Sequence, residues 1–206
     1  MVQNTKINAI FAEKKWQYCQ KIFVKKRNME KGLMSSQNFK RVCDLTEYQV
    51  PDIPGIYVIR ISDVNALDVP FRDELLSRGH NLLYIGIASK SLRERLWRQE
   101  LNHEKPATFF RSLGAILGYR PIKGSLVGKK NTKNYKFSPS DTNKIREWIK
   151  GHLLVNFIAT SDKLEDFEKQ LICTYKPILN IKKNPYKIEI VSKLRAECID
   201  IANRTD

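Results

Sequence analysis

The chain has 206 residues, 42% of them hydrophobic and 10% aromatic, and its 37 Lys+Arg outweigh 22 Asp+Glu for a net charge of +15. That length buries a proper core, and the apolar content excludes a disordered polyelectrolyte. No apolar run approaches membrane-span length and residues 1–15 hold no continuous apolar stretch, so the expectation is a cytoplasmic protein with no membrane partner and no secretory signal.

In chain order, residues 6–31 read as a basic helix with Ile7, Ile10, Phe11, Tyr18 and Ile22 at its apolar positions. Pro51 and Pro54 break the chain, and 55–61 and 82–87 then read as strands rich in β-branched and aromatic residues. The connection from Ser62 to Asn81 has room for a short helix. Ser91 caps a helix running to about His103, and Ala107–Leu117 forms another. Asp141–Lys150 reads as a helix closed by Gly151, followed by a strand over 153–159. Asp162 and Glu165 suggest a capping box opening a helix that stops before Pro177. Val191, Leu194, Cys198 and Ile201 step by three and four in a terminal amphipathic helix. The expected fold is α+β: a small three-stranded antiparallel sheet flanked by helices, with N- and C-terminal helical extensions. The expected divisions are a basic extension over 1–50, a domain over 51–182 and a C-terminal helix over 183–206. Cys19, Cys43, Cys173 and Cys198 make no C-x-x-C pair and read as reduced thiols.

The positive charge is clustered. Residues 1–50 carry +6 and residues 121–150 another +6, against +2 over 51–120 and +1 over 151–206. The second block interleaves Lys129, Lys130, Lys133 and Lys136 with Tyr135 and Phe137, a pattern suited to a phosphate backbone with rings that stack on bases. Nucleic acid is the partner this favours over a membrane surface.

Three positions break the local pattern. Leu164, Phe167, Leu171, Ile172 and Tyr175 share one helix face at about 100° per residue, and Glu168 falls in the middle of it. An acid withdrawn from water needs a cation, which is either a metal or a structural Lys or Arg. Arg95 flanks the inner stripe of its helix, where an arginine pairs with a carboxylate or grips a phosphate. Tyr57 shares a strand face with Ile59 and Ile61, and Tyr84 shares one with Leu82 and Gly86, which would bring both phenols to one surface beside a residue without a side chain.

Gly55-Ile-Tyr57 followed by Tyr84-Ile-Gly86 resembles the signature of the GIY-YIG nuclease family. Ser91-Leu-Arg-Glu-Arg95-Leu is similar to the family's arginine helix, and Glu168-Lys-Gln-Leu-Ile172 with Pro177-Ile-Leu-Asn180 to its metal-binding glutamate and asparagine. The match spans about residues 53–180 and looks like a small stand-alone bacterial or phage member. The resemblance implies a divalent-metal-dependent DNA endonuclease, of restriction or defence type, with a repair or mobile-element nuclease, a non-catalytic DNA-binding protein and a protein-interaction module as alternatives. It implies catalytic roles for Tyr57, Tyr84, Arg95, Glu168 and Asn180. Glu168 would hold one Mg²⁺, for which Mn²⁺ can substitute. Where the repair branch carries a lysine after the second motif this chain has Ile87, so Lys90 is the nearest supporting candidate. His103 is the other, one turn later than the histidine of some members. Arg98, Arg111, Lys129, Lys130, Lys133 and Lys136 are the candidates for DNA contact, and a homodimer through the terminal helices is a further expectation.

Overall fold

The computed structural model describes residues 24–205. The expected helix over 6–31 therefore lies mostly outside the described residues, and its described part is a helix over 24–34, here α1.

The centre is an antiparallel sheet. Strand β2 (Gly55–Ile61) pairs on one side with β3 (Leu82–Ala88) and on the other with β4 (Leu153–Ala159). The sheet has four strands instead of three: a two-residue strand β1 (Lys40–Arg41) pairs with β4, giving the order β1-β4-β2-β3. Two residues are too short for any periodicity to register. Helix α2 (Phe71–Ser77) fills the β2–β3 connection.

After β3 comes a segment wound as a π-helix, Arg93–Leu101. Helices α3 (Thr108–Ile116), α4 (Pro139–His152), α5 (Glu165–Tyr175) and α6 (Glu189–Asn203) complete the chain. Helix α4 is longer than expected. Gly151 lies inside it and does not close it, because Ser138 caps the start through Asp141 N–H and Leu153 ends it by entering β4. Asp162 is no cap for α5, since its carboxylate pairs with Lys25 at 2.7 Å.

Apolar side chains are buried on both faces of the sheet. On one, Tyr57, Ile59, Ile61, Leu83 and Tyr84 pack with residues of α3, α4, α6 and the π segment. On the other, Ile56, Val58, Leu82 and Ile85 meet Met29 and Leu33 of α1 and Phe167, Leu171 and Ile172 of α5. The register slips between Ile59 and Arg60, where Ile59 faces Tyr84 but Arg60 faces Leu82. The extra residue, Leu83, makes a bulge that puts Leu82 on the face opposite Tyr84, against the simple alternation. Tyr84 still shares its face with Gly86 and Tyr57. No helix among the described residues is long and apolar enough to cross a membrane. Cys43, Cys173 and Cys198 are free thiols.

Candidate active site

The register places Tyr57 directly opposite Gly86. A Cβ at Gly86 would sit 2.5 Å from the Tyr57 Cζ and Oη and 2.9 Å from the Tyr84 ring. Only a glycine lets both rings lie over the strand, with centroids 6.2 Å apart and planes 28° from parallel. Both phenols are buried on the same side of the sheet. Burial raises each well above the ordinary phenol value, the Glu100 charge adds to this, and the Arg95 guanidinium opposes it. Neither phenol is ionised at neutral pH.

Arg95 comes from the π segment, which Ser91 starts by accepting the Glu94 N–H at 3.0 Å. Winding with i→i+5 hydrogen bonds stacks residues five apart, and π turns of this kind favour functional sites. Arg95 consequently meets Glu100: its Nη2 lies 2.7 Å from Oε1. Its Nη1 donates to Gln99 Oε1 at 2.9 Å. Glu100 is fully buried. Its Oε1 also accepts the Tyr57 hydroxyl at 3.3 Å, and its Oε2 the Phe109 N–H at 2.9 Å. Glu100 was not anticipated from the sequence, because at α-helical spacing it points away from Arg95. The signal was the five-residue step between the buried Leu96 and Leu101. Arg95 keeps 30% of its side chain exposed and lines, with Ile87, Lys90, Glu94 and Gln99, a cleft of about 460 Å³. Lys90 stands at this cleft with its charge exposed.

Glu168 is buried, as its place on the apolar face of α5 demands, while Glu165, Asp166 and Lys169 are exposed. Its cation here is Lys183, at 2.7 Å from Oε2 on a side chain 47% exposed. Its charge contributes to raising the Tyr84 phenol. Among the described residues no cluster of three or more His, Cys, Asp or Glu side chains is poised to cage a metal ion. An ion held here would have one carboxylate available and would need water and substrate oxygens for the rest, a set that suits Mg²⁺. The donor set fits: a single hard carboxylate group whose present counter-charge is carried on a half-exposed lysine side chain.

Asn180 uses its whole amide on strand β3. Its Oδ1 accepts Ile85 N–H at 2.9 Å and its Nδ2 donates to Ile85 C=O at 2.8 Å. Leu179 N–H bonds Leu83 C=O at 2.9 Å beside it. Because β3 is an edge strand, these bonds replace a missing neighbour and fix the backbone between Tyr84 and Gly86.

The remaining candidates separate by burial. His103 is buried beyond the end of the π segment, stacked 4.2 Å from the Phe110 ring, with neither ring nitrogen hydrogen-bonded. Burial lowers it to about 4, helped by Arg111, Lys136 and Arg146, so it is neutral. Lys129, Lys130, Lys133 and Lys136 are exposed. Tyr135 and Phe137 are buried instead, packing edge-on at 5.5 Å, so they hold the loop and offer no stacking surface. Arg111 is buried too, which corrects its reading as a DNA contact. It donates to Ala107 C=O, Lys133 C=O and Asn134 Oδ1, and burial lowers it to about 10. Its guanidinium ties the basic loop down from beneath. Arg98 is exposed and paired with Glu47 at 2.6 Å.

A model of the GIY-YIG catalytic domain matches residues 55–197 of the chain. No curated protein and no solved structure matches it.

Proposed function

The chain belongs to the GIY-YIG catalytic domain family, which sets it among nucleases of that superfamily, and from that premise we propose that it is a divalent-metal-dependent DNA endonuclease. The observation that carries the reading is the convergence of Tyr57 and Tyr84 over Gly86, with Arg95 against both phenols and lining a cleft.

In this reading the partly open Arg95 guanidinium grips the scissile phosphate and offsets charge developing on it. Tyr57 and Tyr84 bind and orient the attacking water. Glu168 would hold one divalent ion, Mg²⁺ with Mn²⁺ as substitute, in place of the Lys183 ammonium. The ion, when bound, supplies Lewis-acid stabilisation of the leaving oxygen. Asn180 keeps β3 in place so that both phenols and Gly86 hold their register. Lys90 meets the phosphate backbone at the cleft, and Lys129, Lys130, Lys133 and Lys136 meet it farther away, which makes binding steeply salt-dependent.

A second reading, a DNA-binding protein without chemistry, draws on the Lys183 ammonium at Glu168 and the enclosure of Tyr57. One assay decides between them: end-labelled duplex, single-stranded and branched DNA, and supercoiled plasmid, with Mg²⁺ or Mn²⁺. Cleavage lost in Glu168→Ala supports the nuclease, whereas substrates left intact by the wild type overturn it. Discrete products from one duplex sequence would mark the restriction type, and a preference for branched DNA a repair role.

A further inference from the structure

We propose that Glu100 is the proton acceptor behind Tyr57, the carboxylate that takes the phenolic proton while the phenol takes one from the attacking water. The inference rests on the nuclease reading above and gives that site its base.

The need for such a group follows from Tyr57 itself. A general base works best when its affinity for a proton suits the working pH. Buried Tyr57 binds its proton more tightly than a free phenol, so no tyrosinate is present to act. A phenol can still pass a proton through, provided an acceptor waits on its far side. Glu100 Oε1 is that acceptor, 3.3 Å from the Tyr57 hydroxyl. Its other neighbours are all donors: Arg95 Nη2 at Oε1 and Phe109 N–H at Oε2, the arrangement of an ionised carboxylate. A charge pair whose carboxylate is fully buried is an expensive way to hold a helix, since apolar side chains of similar size do so as well or better. Its place on the only π-wound segment among the described residues, five residues after Arg95, gives it one reach to both the phosphate-gripping cation and the phenol.

The step balances. The water O–H bond breaks and its proton passes to Tyr57 Oη. The Tyr57 O–H bond breaks in concert and that proton goes to Glu100 Oε1. The water oxygen's electron pair forms the new P–O bond. The opposite P–O bond breaks, its pair leaves on the departing oxygen, and solvent protonates that oxygen. Glu100 afterwards returns its proton to solvent back through Tyr57. Neutralising Glu100 also releases the Arg95 charge at the moment negative charge builds on the phosphate. Arg95 lies against the same phenol and also lines the cleft, which brings the phosphate grip and the relay together.

The groups facing Glu100 are Tyr57 from β2, Tyr84 from β3, Arg95 from its own segment, and the Phe109 and Phe110 N–H groups with the Arg111 charge from α3. Burial raises the carboxyl above its usual range, against the pull of Arg95 and of the Phe109 and Tyr57 donors. Cleavage then falls with acid along a limb set by Glu100.

The test is the single-turnover nicking rate of supercoiled plasmid, followed from acid to neutral pH at saturating Mn²⁺. The wild type shows the limb above the ordinary carboxylate range. Glu100→Gln loses about 10²–10⁴-fold and the limb with it. Tyr57→Phe does the same, and the double variant is no slower than either, as for groups acting as one unit. DNA affinity is unchanged in Tyr57→Phe, and Glu100→Gln binds DNA no more weakly than wild type, since it leaves the Arg95 charge unpaired. A limb that survives in Glu100→Gln, or losses that multiply in the double variant, overturns the relay. Should Glu100→Gln not fold, Tyr57→Phe decides alone, since it leaves the carboxylate in place and a retained limb overturns the relay. A wild type that cuts nothing, or a Glu168→Ala that cuts as fast, overturns the nuclease reading and the relay together. Glu168-dependent cutting with an unchanged limb overturns only the relay.

Discussion

Glu100 and Glu168 are both carboxylates drawn out of water, each with a cation at 2.7 Å, and both act on the Tyr84 phenol. The regions that hold them differ in how replaceable that cation is. Glu100 sits where the π segment, β2 and α3 meet, and each of the three supplies it a donor. Glu168 sits on α5 with one ammonium, carried on a half-exposed side chain from an irregular stretch. Coulomb attraction grows as the effective dielectric falls, so the interior pair is fixed while the rim pair is open to exchange. A site that must keep one charge and trade another needs both kinds of environment.

The sharpest way to break this comparison is to remove one member of each pair in turn. Arg95→Ala strands a buried Glu100 charge and should cost about 3–5 kcal/mol of stability, besides abolishing cleavage. Glu168→Gln should stay within about 1 kcal/mol of wild type while also abolishing cleavage. Urea unfolding beside the nicking assay reads both. Equal stability losses would show that the two environments are alike.

His103 extends the comparison to a buried ionisable group with no partner. Its folded-state value of about 4 lies below the ordinary histidine value. The stability it contributes is therefore fully present above about pH 6.5 and lost as pH falls through about 4, amounting to about 3 kcal/mol. Glu100, raised by burial, shifts stability the opposite way as pH falls through its own window. A difference measurement is thus needed. His103→Asn, which tolerates the left-handed backbone at this position (φ 54°), should flatten the acid side of the thermal-midpoint curve relative to wild type. Parallel curves for the two proteins would refute the burial argument.

Gly86→Ala asks how tightly the interior cluster is packed. The new Cβ would overlap the Tyr57 phenol, and both rings are wedged among buried neighbours. Overpacking of this kind costs about 1–3 kcal/mol, and moving the Tyr57 hydroxyl off Glu100 should slow cleavage further. Wild-type cleavage in a folded Gly86→Ala protein would mean that the phenol need not sit where it does.

How much of this was legible in the sequence depended on local regularity. The three long strands announced themselves by composition, and alternation alone brought Tyr57 and Tyr84 together beside Gly86. Glu168 stood out because α-helical spacing set an acid among Leu164, Phe167, Leu171 and Ile172. Where the backbone leaves its regular period the same arithmetic misleads. The bulge at Leu83 moved Leu82 to the other face, and the π winding hid Glu100. Tyr135 and Phe137 read as rings free to stack because a basic, glycine-containing loop looks solvated, yet they are its anchor in the core. Lys183 lies in a stretch with no period at all, so nothing in the sequence pointed from it to Glu168.

The smallest expected effect concerns that lysine. Lys183→Gln keeps most of the stem but removes the charge from Glu168. An ion pair with one half-exposed member contributes at most about 1 kcal/mol, so the unfolding curve should barely move. If the ammonium occupies the place a divalent ion takes, its loss should lower the Mg²⁺ concentration for half-maximal nicking by at most about fivefold, the equivalent of that energy. The maximal rate at saturating Mg²⁺ should stay the same, because the lysine competes for the carboxylate and takes no part in the chemistry. A fall in the maximal rate with unchanged metal dependence would instead make Lys183 a phosphate contact. Glu168 would then be held by a cation that stays in place during cleavage, and the distinction between a fixed interior pair and an exchangeable rim pair would fail at the rim.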